Sequence, residues 1–393
     1  MEVKRPLCTA PFNSLLVETN KTIAPCCAWR GEYLGSLNQD KISDILQSDR
    51  LLSIQNKLLN QEWPDECLGC KEREDTSGTS ARLNQYDSIS YREDKKLVFL
   101  EFNSSNLCNL ACIPCTPAWS TGWSTFRKLN DWPETSVKNF HPTWKIYPGR
   151  ASDVERFVNQ VDLKNLEKLM LKGGEPFLNK ENMFLLEYLH KNNILQNITV
   201  VITTNGTVLD QRMLDLLSNA AHVKFMVSID GVGELNEYIR YDVDGHFSSH
   251  TNDIKYNISQ FLKIPGCHVA PICSVQATNV FRLDEFRSWW HEEIIPLNTK
   301  LIAKEPLFTN IVMWPEYLST RILSVHTRNY LINFYKSFDT SIYDQVINFL
   351  NQPYLGDEAH NKFVKFIEDI DKTRNKSLKK LVPEMAAELK YLT

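Results

Sequence analysis

Cys108, Cys112 and Cys115, in the stretch CNLACIPC, bring three thiols into eight residues at the spacing C-x3-C-x2-C. Thiolates so spaced can converge on one metal centre. Three are one fewer than a closed tetrahedral zinc site takes, whereas a site that binds substrate or cofactor keeps a position open. An iron–sulfur cluster held by three cysteines leaves one iron free in the same way. The preceding run, Leu97-Val98-Phe99-Leu100-Glu101-Phe102, reads as a buried strand. The thiols therefore sit in the loop that leaves a sheet.

A second set lies upstream: Cys8, the adjacent Cys26 and Cys27, and Cys67 with Cys70. Cys67-Leu68-Gly69-Cys70 is a C-x2-C knuckle whose glycine would let the backbone turn around a metal. Cys8, one of Cys26 and Cys27, Cys67 and Cys70 make four thiolates. That full set suits zinc or an iron–sulfur cluster equally. Residues 12–17 and 22–24 read as a hairpin closed by Thr19, Asn20 and Lys21. Residues 42–59 carry helical periodicity.

At 393 residues the chain is long enough for one large domain or two to three smaller ones. Its 44 basic and 48 acidic residues nearly balance, so neither nucleic acid nor an anionic membrane is an expected partner. No run of about 18 apolar residues appears, which argues against a transmembrane helix. The charged N-terminus lacks a signal-peptide apolar region. A cytoplasmic, reducing location is expected, where ten cysteines read as metal ligands or thiols rather than disulfides.

Residues 76–95 are polar and read as a linker. Residues 116–164, rich in Trp, Pro and Ser, are long for a compact connection. Helices are expected over 119–129 and 152–161, with Trp119, Trp123, Trp132 and Trp144 as packing for a cover over the site. Strands follow at 166–172, 198–203, 223–229 and 268–275, with a last one at 301–303 or 310–313. Helices at 180–195, 210–220, 252–262 and 280–292 alternate with them, Asn279 serving as N-cap of the last. Repeated βα units predict a parallel sheet in a partial or closed βα-barrel, with chemistry at the C-terminal strand ends. CNLACIPC, GGEP (173–176), TTNG (203–206) and SIDG (228–231) all fall at such ends. Residues 316–393 read as packing or interaction helices over 330–338, 343–350 and 359–370.

These residues resemble the radical S-adenosylmethionine (SAM) superfamily, and within it the enzymes that carry a SPASM or twitch auxiliary-cluster domain. The barrel resemblance covers roughly residues 95–300. It rests on C-x3-C-x2-C after the first strand, GGEP after the second, TTNG and SIDG, and VQATNVFRLDEFRSWW (275–290) as fifth strand and following helix. A second resemblance covers residues 5–75, where C…PCC…C-x2-C is similar to a twitch-type domain placed at the N-terminus. The implied organisation is a cluster domain at 1–75, a linker at 76–95, a partial (β/α)6 TIM-like barrel at 96–315 and a helical extension at 316–393.

The resemblance implies that Cys108, Cys112 and Cys115 hold a [4Fe–4S] cluster whose free iron binds SAM. Reductive cleavage would then give a 5′-deoxyadenosyl radical that takes hydrogen from a substrate. Gly173 and Gly174 would let backbone approach the SAM methionyl group, and Glu175, followed by Pro176, would accept from its ammonium. Ser228 and Asp230 are candidates for the ribose hydroxyls, Arg240 for the SAM carboxylate or the substrate, and Thr204 and Asn205 for the rim. Pro114, before the last cysteine, stands where the family usually has a bulky apolar residue against adenine. In the N-terminal unit Lys21 stands near the family's turn glycine, and counting from it favours Cys26 over Cys27 beside Cys8, Cys67 and Cys70. An auxiliary iron–sulfur cluster, an electron donor such as flavodoxin or ferredoxin, and a peptide or protein substrate are implied. Oxidation of a small sugar or alcohol is the alternative within the family.

Blander readings stand beside these. A zinc site completed by a distant histidine such as His141 would account for CNLACIPC, and with a second zinc the chain would be a non-catalytic interaction protein. Cys267 and Cys273 read as small buried apolar residues.

Overall fold

The computed structural model describes residues 5–103, 105–126, 149–243, 245, 250–338 and 340–389. His141, Trp132 and Trp144 lie outside them. The chain opens with a short helix, α1 (Ala10–Asn13), and the hairpin β1 (Ser14–Val17) and β2 (Thr22–Ala24), followed by β3 (Gly35–Ser36). Lys21 closes the hairpin with φ 71°, the left-handed conformation that favours glycine. Its buried ammonium is held 2.9 Å from a Glu181 carboxylate oxygen, which compensates the strain.

The helix expected over 42–59 is broken into α2 (Ile42–Leu46) and α3 (Asp49–Leu59), because Ser48 caps the second by accepting from Leu51 N–H. Cys67 ends a single 3₁₀ turn and Cys70 lies in the first turn of α4 (Leu68–Ser77). Gly69 does not take a left-handed φ. A Cβ there would strike the Arg30 side chain, so the glycine makes room for a side chain rather than a turn.

Residues 76–95 are not a free linker. They carry a π-helical turn, Arg82–Tyr86, whose Tyr86 is fully buried, and Ser80 and Ile89 are buried with it. The barrel region begins with β4 (Phe99–Phe102) and β5 (Leu110–Cys112). It continues through α5 (Ala151–Val158), β6 (Lys168–Leu171), α6 (Lys180–Lys191), β7 (Thr199–Thr204), α7 (Gln211–Leu217), β8 (His222–Ser228) and α8 (Glu234–Ile239). Then come β9 (Arg240–Asp242), α9 (His250–Phe261), β10 (Cys267–Val275), α10 (Leu283–Trp289) and β11 (Leu307–Ile311). Asn279 is not the cap of α10. Its amide donates to the carbonyls of Asp230 and Ser274, tying two strand ends together.

The order β11-β10-β8-β7-β6-β4-β1-β2-β3 makes one nine-stranded sheet. Seven neighbours, β11 through β1, run parallel, and β1-β2-β3 are antiparallel. The described strands form an open sheet whose six barrel strands make the expected partial barrel. The N-terminal hairpin adds to its first strand instead of folding apart, so the sheet crosses the expected boundary between residues 75 and 96. Alternation sorts the side chains. Leu100, Phe102, Leu169, Leu171, Val200, Ile202, Phe225 and Val227 join the main core with the helices. Phe99, Met170, Val201 and Met226 face the other way, onto Ala10, Tyr86 and Ile89. Cys267 and Cys273 are buried in the main core, as expected.

The last region is helical: α11 (Val325–Lys336), α12 (Asp344–Leu350), α13 (Asp357–Arg374) and α14 (Leu378–Leu381). No helix among the described residues is long and apolar enough to cross a membrane.

Candidate functional site

The C-terminal ends of the parallel strands border a cavity of ≈ 410 Å³. Cys108, Cys112 and Cys115 line it together with Pro114, Gly173, Gly174, Thr204, Asn205, Ser228 and Arg240. Four motifs far apart in sequence thus meet on one rim.

Backbone pairing fixes the cysteine loop. β5 pairs antiparallel with β9, setting Cys112 opposite Arg240. Ile113 N–H donates to Ile239 O at 2.8 Å, and the Trp123 indole donates to Cys112 O at 3.2 Å. The glycines serve this loop. Gly174 N–H donates to Ser105 O and Glu175 N–H to Leu107 O, both at 2.8 Å. A Cβ on Gly173 would overlap Ser105 O, and one on Gly174 would overlap Leu107 O. Gly173 also has φ 110°. The sequence reading gave these glycines to a ligand. The structure shows that they first admit the cysteine loop, while still lining the cavity.

Glu175 is a second departure. Its carboxylate accepts from Thr204 Oγ1 at 2.7 Å, Asn205 N–H at 2.8 Å and Phe177 N–H at 3.2 Å. It is buried and bridges GGEP to TTNG rather than lining the cavity; Pro176 is likewise buried and starts a 3₁₀ turn. Burial pushes the Glu175 carboxyl up to about 7, against those three donors. Asn205 donates to Asn109 Oδ1 at 2.9 Å and lies 3.9 Å from Cys108 Sγ.

Asp230 is also spoken for. One oxygen accepts from Ser274 N–H at 2.7 Å, and the other is 2.9 Å from Arg240 Nη2. Of these two ribose candidates only Ser228 lines the cavity. Arg240 Nη1 lies 3.8 Å from Cys112 Sγ, and its buried Nε has no hydrogen-bond partner among the described residues.

Cys8, Cys26, Cys67 and Cys70 line a second, small cavity of ≈ 20 Å³ with Trp63, Arg82 and Tyr86. Cys27 does not line it. Its N–H donates to Tyr86 Oη at 3.1 Å, and its Sγ is 3.6 Å from the same oxygen. Burial pushes the thiols of Cys8, Cys67 and Cys108 up to about 12, so in the absence of metal they stay protonated and metal must displace the protons.

Sequence reasoning missed four residues here. Lys172 lines the larger cavity and pairs with Glu101 at 2.8 Å, and Glu101 accepts from Tyr86 Oη at 3.2 Å. Since Tyr86 lines the smaller cavity, a continuous polar chain joins the two. A lone carboxylate inside the apolar run LVFLEF was the available signal. Arg374, at the end of α13, donates to Ala111 O at 2.6 Å behind the cysteine loop, and no local pattern marked it.

An open parallel sheet with a cysteine-lined cavity at its strand ends and a separate four-thiol pocket defines an α/β protein with two distinct cysteine sites. The Radical SAM superfamily description matches residues 102–262, and the SPASM iron–sulfur cluster-binding domain matches residues 8–71. Residues 102–262 thus carry a radical SAM domain and residues 8–71 an iron–sulfur cluster-binding domain, here on its N-terminal side.

It is 25% identical over 154 residues to Fe-coproporphyrin III synthase of Methanosarcina barkeri, covering 39% of this chain and 32% of that one. It is also 25% identical over 143 residues to GTP 3′,8-cyclase of Clostridium botulinum, covering 36% and 38% respectively. The chain thus spans only about a third of the length of these curated relatives. Among solved structures, anSMEcpe with bound AdoMet overlaps 64% of this chain and 62% of its own, at 19% identity and TM-score 0.38. Streptococcus suis SuiB bound to precursor peptide SuiA overlaps 62% and 46%, at 15% identity and TM-score 0.34.

The cofactors of this class are a [4Fe–4S] cluster, SAM and an auxiliary iron–sulfur cluster. The residues present fit them. The larger cavity offers three thiols, a glycine wall and an unpartnered buried donor, Arg240 Nε. The smaller offers four thiols and little further room. Among the described residues no group of three or more His, Cys, Asp and Glu is arranged to hold a single metal ion.

Proposed function

We propose that the chain cleaves SAM reductively at a [4Fe–4S] cluster held by Cys108, Cys112 and Cys115, and uses the resulting 5′-deoxyadenosyl radical to take hydrogen from a peptide or protein substrate. The observation that carries this reading is the shared cavity, where three thiols meet the glycines of GGEP, Ser228 and Arg240 with room left over. When bound, the cluster supplies the electron that breaks a C–S bond of SAM; everything else falls to the chain. Gly173 and Gly174 keep the wall close to the cysteine loop, Ser228 takes a ribose hydroxyl, and Arg240 Nε donates to the ligand's carboxylate. Pro114 offers an apolar face to adenine, and Trp119 and Trp314 help exclude water from the same cavity. Cys8, Cys26, Cys67 and Cys70 hold the auxiliary cluster, which with four thiolates has no iron open. The peptide assignment rests on the pairing of a SAM site with a cluster domain of the SPASM type.

Anaerobic reconstitution tests the reading. The expected result is brown protein with about eight irons per chain, four for each [4Fe–4S] cluster, and 5′-deoxyadenosine after addition of SAM and dithionite. Colourless protein that binds only zinc and leaves SAM intact would overturn it. Incubation with short peptides encoded beside the gene, read by mass spectrometry, tests the substrate class; a mass change on a sugar or alcohol instead would transfer the activity to the small-molecule branch.

A further inference from the structure

We infer that Arg240 and Asp230 set the reduction potential of the cluster at the CNLACIPC loop: Arg240 raises it, and Asp230 both positions Arg240 and offsets part of its charge. The inference rests on the proposed role of Cys108, Cys112 and Cys115 as ligands.

The contact is built by backbone as much as by side chains. Cys112 and Arg240 are register partners across the β5–β9 ladder. The guanidinium is therefore delivered to the sulfur by a strand pair, and Nη1 stands 3.8 Å from Cys112 Sγ. On its other side Nη2 is 2.9 Å from Asp230, whose second oxygen is fixed by Ser274 N–H at 2.7 Å. Asn279 holds the backbone at both anchor points, donating to Asp230 O and Ser274 O. Arg240 is 8% exposed and Asp230 1%, so solvent screens the pair little.

The three thiols are not treated alike. Cys108 Sγ has neutral donors, Leu110 N–H at 3.5 Å and the Asn205 amide at 3.9 Å, and its charged neighbour is an acid, Glu175, rather than a guanidinium. Cys115 lies beside Thr116 O. Among the described residues the direct guanidinium contact is Arg240 on the Cys112 sulfur; Arg240 acts at longer range on Cys115, and Arg374, bonded to the backbone carbonyl of Ala111, adds a second positive charge near Cys112. A cluster gains one negative charge on reduction, and a fixed buried cation beside a ligand sulfur favours that state. A buried ion pair is weak as a stabilising device, since both charges must be desolvated. Charge placement next to a thiolate gives the pair a use that stability alone does not.

The test is a redox titration of the reconstituted full chain followed by electron paramagnetic resonance. The site cluster is the signal that changes on adding SAM, and the auxiliary signal serves as internal control. In Arg240→Gln the site potential moves negative, so the reduced-to-oxidised ratio at fixed solution potential falls about tenfold, ~59 mV for one electron. In Asp230→Asn, which can still accept from Ser274 N–H, it moves positive. Arg240→Lys stays near wild type. Titrations superimposable on wild type, or shifts of the same sign in both variants, overturn the inference. So does weaker SAM binding by Arg240→Gln at an unmoved potential, which would make Arg240 a cofactor ligand only. If Arg240→Gln loads no site cluster, the sign of the Asp230→Asn shift decides. A SAM-responsive signal that survives Cys112→Ala would instead overturn the ligand assignment on which the inference rests.

Discussion

Two cysteine sites of the same chemistry differ in what surrounds the sulfur. The CNLACIPC thiols face a cavity of ≈ 410 Å³ with glycines, hydroxyls and an ion pair on its walls. The N-terminal thiols face ≈ 20 Å³. Three ligands with space suit a centre that must bind something else, and four ligands without space suit a centre that only passes electrons. The sites also differ in support. The first hangs between strand ends, with its loop held by sheet ladders. The second is assembled from a hairpin, a helix start and the Arg82–Tyr86 turn, and the hairpin is stitched to the barrel through β1 and β4.

The most severe way to break this comparison is Cys112→Ala. SAM cleavage should fall to zero while the auxiliary cluster's roughly four irons remain, as measured by iron content and 5′-deoxyadenosine yield; loss of both clusters together would mean that the sites do not load independently. Next in size is the contrast between neighbours. Cys26→Ala should cost the auxiliary iron and Cys27→Ala should not, because only Cys26 lines the four-thiol cavity. Equal iron contents in the two variants would refute the assignment.

Lys21→Met probes the seam between the regions. It leaves Glu181 buried without its cation, a loss of about 3–5 kcal/mol for a broken buried pair. Burial already pushes the Glu181 carboxyl up to about 7, so the loss should be larger at pH 8 than at pH 5.5, where Glu181 is protonated. Thermal unfolding at the two pH values checks this, and an equal loss at both would show that Glu181 does not carry it. The smallest effect is expected from Glu175. With its folded value near 7 and an unfolded value near 4.5, the native state binds the proton more tightly. Its contribution is therefore present at low pH and lost as pH rises from about 4.5 to about 7, at most about 3 kcal/mol. Glu175→Gln should flatten that part of the stability–pH curve; an unchanged slope would assign the titration elsewhere.

Both cysteine sets and all four strand-end motifs were legible because each is local: a spacing within eight residues, or a glycine turn closing an apolar run. The strand and helix alternation was legible for the same reason, since periodicity reports one face at a time. The direction of individual side chains was not. Glu175 and Asp230 were read as ligand contacts, yet both turn to neighbouring strand ends, a choice made by donors about thirty to forty residues away in Asn205 and Ser274. Residues 76–95 looked polar enough to be a linker, but Tyr86 and Ile89 among them are buried against the inner face of the sheet.

By itself the sequence determined the kinds of atoms available: seven thiols in two sets, one set of three and one of four, on a parallel α/β frame. Tertiary structure decided where they sit. The entry of Cys26 but not Cys27 into the four-thiol cavity, the placement of Arg240 on the Cys112 sulfur and the link through Lys172, Glu101 and Tyr86 all depend on residues distant in sequence. Register across a sheet is a property of pairs of strands, and no single strand's sequence contains it.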